Sequence, residues 1–172
     1  MTYDARAVAN FFLDRGAANG CPVTIMSLLK ILYFAHAWHL AKTDQPLVGQ
    51  PFEAWKHGPV SRVVYEQFKG LGSKPILDRA KVINVETATF EPASYGNIDP
   101  TTAKFLEHIF DYYSQYHPYK LSDLTHEEGS PWDSVWTEAT RKAVPGMVIS
   151  NDSIRAWFRA SRSGAANPRW TA

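Results

Sequence analysis

The chain has one cysteine, Cys21, among 172 residues. A lone thiol closes no internal disulfide, so the fold is expected to stand without cystine support, in a reducing cytoplasm. Charge of one sign is also missing: 18 Lys and Arg face 17 Asp and Glu, a net charge of +1. That balance offers no broad basic footprint to a phosphate backbone and disfavours nucleic acid as a partner. The first residues, MTYDARAVANFF, lack the basic start, apolar stretch and small-residue cleavage site of a secretory leader. The longest apolar run is broken by Lys30, His36 and His39 and falls short of the roughly 20 residues of a bilayer span. No membrane partner is expected.

Signatures of catalysis are as scarce. No HExxH, no GxSxG elbow and no phosphate-cradling glycine loop occurs, since Gly70 and Gly72 close a helical pattern instead of joining a strand to a helix. His36 and His39, with His57 or His126, invite a metal site, but no Cys pair or clustered carboxylate completes a ligand set. Hydrogen-bonded histidines in a helix seam are the simpler reading. Neither a catalytic residue, a metal nor a cofactor is expected, and the chain reads as a non-enzyme.

What the sequence does have is one long segment, VTIMSLLKILYFAHAWHLAK from Val23 to Lys42, with apolar residues on almost every side. A helix apolar all round is a buried one. At 100° per residue its few polar groups form two narrow seams, His36 with His39 on one side and Ser27 with Lys30 roughly opposite. At this length one domain can bury a core of its own. The expectation is therefore a mainly α protein, a single-domain helical bundle around a central helix at about 23–42, with residues 1–162 as the domain and 163–172 as a flexible tail.

The remaining elements follow from caps and periods. Thr2 can cap a first helix to about Arg15, where Gly16 permits termination. Leu47 to Trp55 has extended character. Gly58-Pro59 reads as punctuation before a helix from Pro59 to about Lys69, with Val60, Val63, Val64 and Phe68 as its apolar face. The partial alternation Val82, Val85, Thr87 and Thr89 suggests a short β hairpin around 76–92 or a long covering loop, and propensity alone does not decide between them. Asp99-Pro100 starts a helix carrying the stripe Phe105, Leu106, Ile109, Phe110 and Tyr113; Ser130-Pro131 starts another, and Asn151 or Asp152 a last one.

Aromatic residues make up 13% of the chain, enough to serve both a bulky core and partner contacts. Two stretches concentrate them with turn-forming residues: Trp55, Lys56, His57, Gly58 and Pro59, and later His126 and Trp132 within THEEGSPW. A tight turn, helix starts and core packing account for these residues, and contact with a partner is compatible with the same role. Arg169 and Trp170 in the tail are further candidates for a mobile contact.

Taken together, KILYFAHAWHLAKTDQPLVGQPFEAWKHGPVSRVVYEQF and the late THEEGSPW element resemble the Panacea domain family, which includes the SocA-like antitoxins. The resemblance covers nearly the whole chain. Its most specific blocks are carried by Leu32 to Trp38, Glu53 to Val60, and Thr125, His126, Pro131 and Trp132. It implies a mostly helical antitoxin that neutralises a cognate protein toxin by direct contact. In the SocA-like branch it further implies an adaptor that presents the toxin to a ClpXP-type protease. The partner-binding residues it suggests are Trp55, Lys56, His57, Gly58, Pro59, His126 and Trp132. Two other classes stay open, a His- or metal-dependent enzyme and a DNA-binding autoregulator; the first needs a stoichiometric ion and the second a basic stripe.

Overall fold

The computed structural model describes residues 2–142, 147–160 and 168. In chain order the described residues form α1 (Ala5–Ala18), α2 (Ile25–Thr43), β1 (Phe52–Trp55), β2 (Gly58–Ser61), α3 (Arg62–Phe68), a 3-10 turn (Lys69–Leu71), β3 (Lys81–Asn84), β4 (Thr89–Pro92), α4 (Pro100–Tyr113), α5 (Pro118–Thr125), α6 (Pro131–Lys142), β5 (Val148–Ile149) and α7 (Asn151–Arg159). The expected mainly α, single-domain helical bundle is therefore corrected. The chain is mixed, with two small antiparallel sheets among the helices, one of three strands in the order β2-β1-β5 and one of β3 with β4.

α2 is the axis of the molecule, as its composition requires. Thr24 caps it by accepting from the Ser27 N–H, and Leu28, Leu32, Phe34, Ala35 and Ala37 are wholly buried. Each large apolar side chain so enclosed contributes about 1.5–3 kcal/mol. α1, α3, α4, α5, α7 and β2 all pack on α2. The Phe34 ring stacks on Tyr113 at 4.4 Å, and the Trp38 indole N–H donates to the Tyr113 hydroxyl at 2.7 Å.

Two helix boundaries differ from the local signals. Asp4, not Thr2, caps α1 through the Arg6 N–H, and the helix runs through Gly16 to Ala18. Gly16 is there for closeness: a Cβ would lie 2.7 Å from Val23 Cγ2 and 2.9 Å from the Cys21 carbonyl oxygen. Pro59 does not open a helix either. Gly58, at φ +107°, turns the chain back so that Trp55 pairs with Gly58 and Phe52 with Ser61, and helix α3 starts only at Arg62. Proline is admissible there because β2 is an edge strand. The other edge of β1 is taken by β5, Phe52 opposite Ile149, a segment 97 positions away. Strands assembled over such a distance leave little trace in local periodicity.

The hairpin within 76–92 is present, with Ile83 opposite Phe90 and Asn84 opposite Thr89. Asp99 and Pro100 start α4 as read, and Ser150 caps α7. Arg169 and Trp170 lie outside the described residues, as do 163–167; Pro168 is buried.

Candidate functional site

The two motif stretches meet. β1 and β2 are joined by the two residues Lys56 and His57, both exposed, while Gly58 and Pro59 are buried beneath them. The backbone of this turn is held by side chains from three helices. Lys30 of α2 donates to the Pro59 carbonyl at 3.0 Å, Ser122 of α5 donates through Oγ to the His57 carbonyl at 2.8 Å, and the Trp132 indole N–H of α6 donates to the Trp55 carbonyl at 2.7 Å. Charged or part-buried donors satisfying buried carbonyls are worth about 1–3 kcal/mol each where their loss would leave the acceptor bare.

Gly58 permits the arrangement. A Cβ at that position would lie 2.6 Å from both Lys30 Cε and Thr125 Oγ1. The Thr125 hydroxyl donates to the Ser122 carbonyl at 2.7 Å, and Ser130 Oγ donates to the Thr125 carbonyl at 3.1 Å while receiving the Asp133 N–H at 3.1 Å. The THEEGSPW stretch thus closes on itself before reaching the β1–β2 turn. His126 lies flat on Trp132, ring centres 3.9 Å apart, and its buried Nε2 has no hydrogen-bond partner among the described residues.

Lys30 is 1% exposed and makes no salt bridge to a carboxylate among the described residues. Burial pushes its ammonium down to about 7. Burial also lowers His126, and the neighbouring Lys30 charge lowers it further. The result is a packed polar knot.

The outer face of the same turn is differently built. Glu53 accepts from Arg62 Nη2 and from the Trp55 indole N–H, both at 2.8 Å, and from Arg62 Nε at 3.0 Å. The Arg62 guanidinium lies 5.6 Å from the Trp55 ring centre, and Tyr65 meets the same ring edge-on at 4.7 Å. Trp55 is a half-buried lid over the sheet.

The histidines are not brought together. Burial drives His36 down to about 4. Its Nδ1 accepts the Val48 N–H at 3.3 Å, so the neutral ring carries its proton on Nε2 and donates to Asn151 Oδ1 at 2.9 Å. His39 pairs through Nδ1 with the Gln45 carbonyl at 2.7 Å. His57 and His126 lie instead at the β1–β2 turn. Among the described residues no group of three or more His, Cys, Asp or Glu is arranged to hold a metal ion, and no helix is long and apolar enough to cross a membrane.

Two residues of the knot escaped the motif reading. Ser122 carries no local signal, whereas a lysine inside an otherwise apolar helix is a visible anomaly, and Lys30 is that residue.

Two of the ordered blocks, Glu53–Val60 and Thr125–Trp132, meet at one turn, and residues 28–133 match the family described as antitoxin SocA-like, Panacea domain. The chain belongs to that family. It is also 33% identical over 168 residues to a protein named Antitoxin SocA from Caulobacter vibrioides (strain NA1000 / CB15N), an alignment spanning 98% of this chain and 89% of that one. No solved structure matches the chain. Membership supports an antitoxin role, and with it a toxin as partner.

Proposed function

We propose that this protein is an antitoxin that binds a cognate protein toxin directly and neutralises it in the cytoplasm, without catalysis, by presenting the toxin to a ClpXP-type protease. The observation that carries this reading is the similarity to Antitoxin SocA over 98% of the chain. The adaptor step is what resemblance to the SocA-like branch implies. In this reading Lys56, His57 and half-buried Trp55 can touch a partner, whereas Gly58, Pro59, His126 and Trp132 act by holding the turn in place.

The test is to express the neighbouring open reading frame with and without this protein, follow growth, and purify the pair. Toxicity that disappears on co-expression, with co-purification, is the expected result. A neighbour that is harmless or does not bind overturns the reading. Following toxin levels in strains with and without the protease then separates delivery from occlusion. Under delivery, toxin is short-lived only when both antitoxin and protease are present; unchanged toxin levels with full rescue would mean occlusion.

A further inference from the structure

Six large apolar side chains are exposed among the described residues, and four of them fall between positions 77 and 90: Leu77 at 88%, Ile83 at 56%, Val85 at 86% and Phe90 at 74%. Ile83 and Phe90 are directly paired across β3 and β4, so they share one face of the hairpin, and Val85 follows at its tip. The opposite face carries Asn84 and Glu91, which hydrogen-bond to each other. The hairpin is therefore amphipathic the wrong way round for a core, with its apolar face in water.

It is nevertheless built to hold that orientation. Asn10 of α1, 1% exposed, inserts its carboxamide between the two strands at their base. Its Nδ2 donates to the Ala80 and Ala93 carbonyls at 2.9 Å each, and its Oδ1 accepts the Ala80 N–H at 2.8 Å. The Lys81 N–H donates to Gln67 Oε1 at 2.8 Å. At the tip Asn84 Oδ1 accepts from Glu86 and Thr87 N–H at 2.9 and 3.3 Å. An isolated two-stranded hairpin is marginal in water, so these ties keep a projecting element ordered.

Ile83, Val85 and Phe90 together expose on the order of 400 Å² of apolar surface, about half of the roughly 800 Å² each partner gives to a stable complex. Around it Arg79 is paired with Asp14 at 2.6 Å and Lys81 lies 3.7 Å from Asp78, whereas Glu86, next to Val85, is exposed and makes no ion pair among the described residues. The face is thus matched to an apolar surface with a cation placed opposite the tip. Before the hairpin, Leu77 and Arg79 line a cavity of about 380 Å³ with Leu13, Ala17, Val23 and Ile76, to which the hairpin itself contributes no residue.

We propose that this face of the β3–β4 hairpin, Ile83 and Phe90 with Val85 at the tip, is where the toxin docks through an apolar surface of its own. The proposal rests on the antitoxin reading above. Toxin binding by the purified full chain is measured for wild type, the double variant Ile83→Ser/Phe90→Ser, the single variant Val85→Ser, and Tyr119→Ser, which removes an exposed aromatic away from the hairpin. The double variant is expected to lose about 100-fold in affinity and Val85→Ser about tenfold, with Tyr119→Ser unchanged and all melting temperatures close to wild type. Wild-type affinity in both hairpin variants overturns the docking site and leaves the antitoxin reading intact. No binding by wild type overturns both. A wild-type homodimer that the double variant converts to monomer, with toxin binding unchanged, identifies a second copy as the occupant and overturns the proposal as well.

Discussion

Among the described residues there are two hairpins of four-residue strands, and they are held in opposite ways. In β1–β2 all four residues of the second strand are buried, and the carbonyls of Trp55, His57 and Pro59 are taken by Trp132, Ser122 and Lys30. In β3–β4 the second strand is exposed throughout, and its ties are confined to the base and the tip. The contrast separates two tasks that a motif alone would merge. Most of the residues that carry the family resemblance at the first hairpin are occupied in closing the fold, leaving only Lys56, His57 and one side of Trp55 in reach of a partner. The second hairpin contributes little to the core and presents three of the six large apolar side chains exposed among the described residues.

The sharpest way to break the first hairpin is Gly58→Ala. Strain at φ +107° adds to overlap of the new Cβ with Lys30 and Thr125, 2.6 Å from each, and together these should cost about 3–4 kcal/mol in a denaturant titration. A loss under 1 kcal/mol would mean the turn relaxes freely. The second hairpin is broken by Asn10→Ala, which leaves the buried Ala80 N–H and Ala93 carbonyl short of a partner and should cost about 2–3 kcal/mol. Amide exchange should rise first across 80–93, and toxin binding should weaken with it. If exchange there is unchanged, Asn10 is not what orders the hairpin.

Lys30 gives the first hairpin a pH signature that the second lacks. Its folded value of about 7 lies below the ordinary 10.5, so between those limits the unfolded chain holds the extra proton and stability rises with pH. Below about 7 both states are protonated and the whole cost of burying the cation is present. Lys30→Met should flatten the rise between pH 7 and 10, measured by unfolding at a series of pH values; an identical slope in the variant would place the titration elsewhere. His36 acts in a separate, acid window, since its folded value of about 4 makes stability fall as pH drops below 6.5. The smallest effect should be that of Phe90→Ser, within about 0.5 kcal/mol of wild type, because the ring is 74% exposed. A larger loss would show that the exposed face supports the fold after all.

Much of this was readable locally. α2 announces itself because apolar side chains surround it, and Asp99-Pro100 and Ser130-Pro131 mark helix starts because capping and a missing N–H are properties of two adjacent residues. Alternation between 82 and 89 left a hairpin and a covering loop both open, and the pairing of Ile83 with Phe90 decided for the hairpin. Gly58-Pro59 misled, since the same dipeptide can precede a helix or close a turn into an edge strand. The choice was made by Lys30, Ser122 and Trp132, 28 to 74 positions away, which capture the turn's carbonyls.

The sequence by itself determined the buried central helix, the order of the helices, the family and, through it, an antitoxin role, because these rest on periodicity, caps and ordered motif blocks along the chain. Only the tertiary structure decided that the protein is mixed α/β, that His36 and His39 serve the loop before β1 and α7 while Lys30 serves the β1–β2 turn and His126 stacks on Trp132, and that one asparagine in α1 orders a hairpin about 70 residues later. The reason is physical. A helix cap or an apolar stripe is satisfied by near neighbours, whereas a buried carbonyl, a desolvated ammonium or a third strand is satisfied by whatever group the folded chain brings alongside.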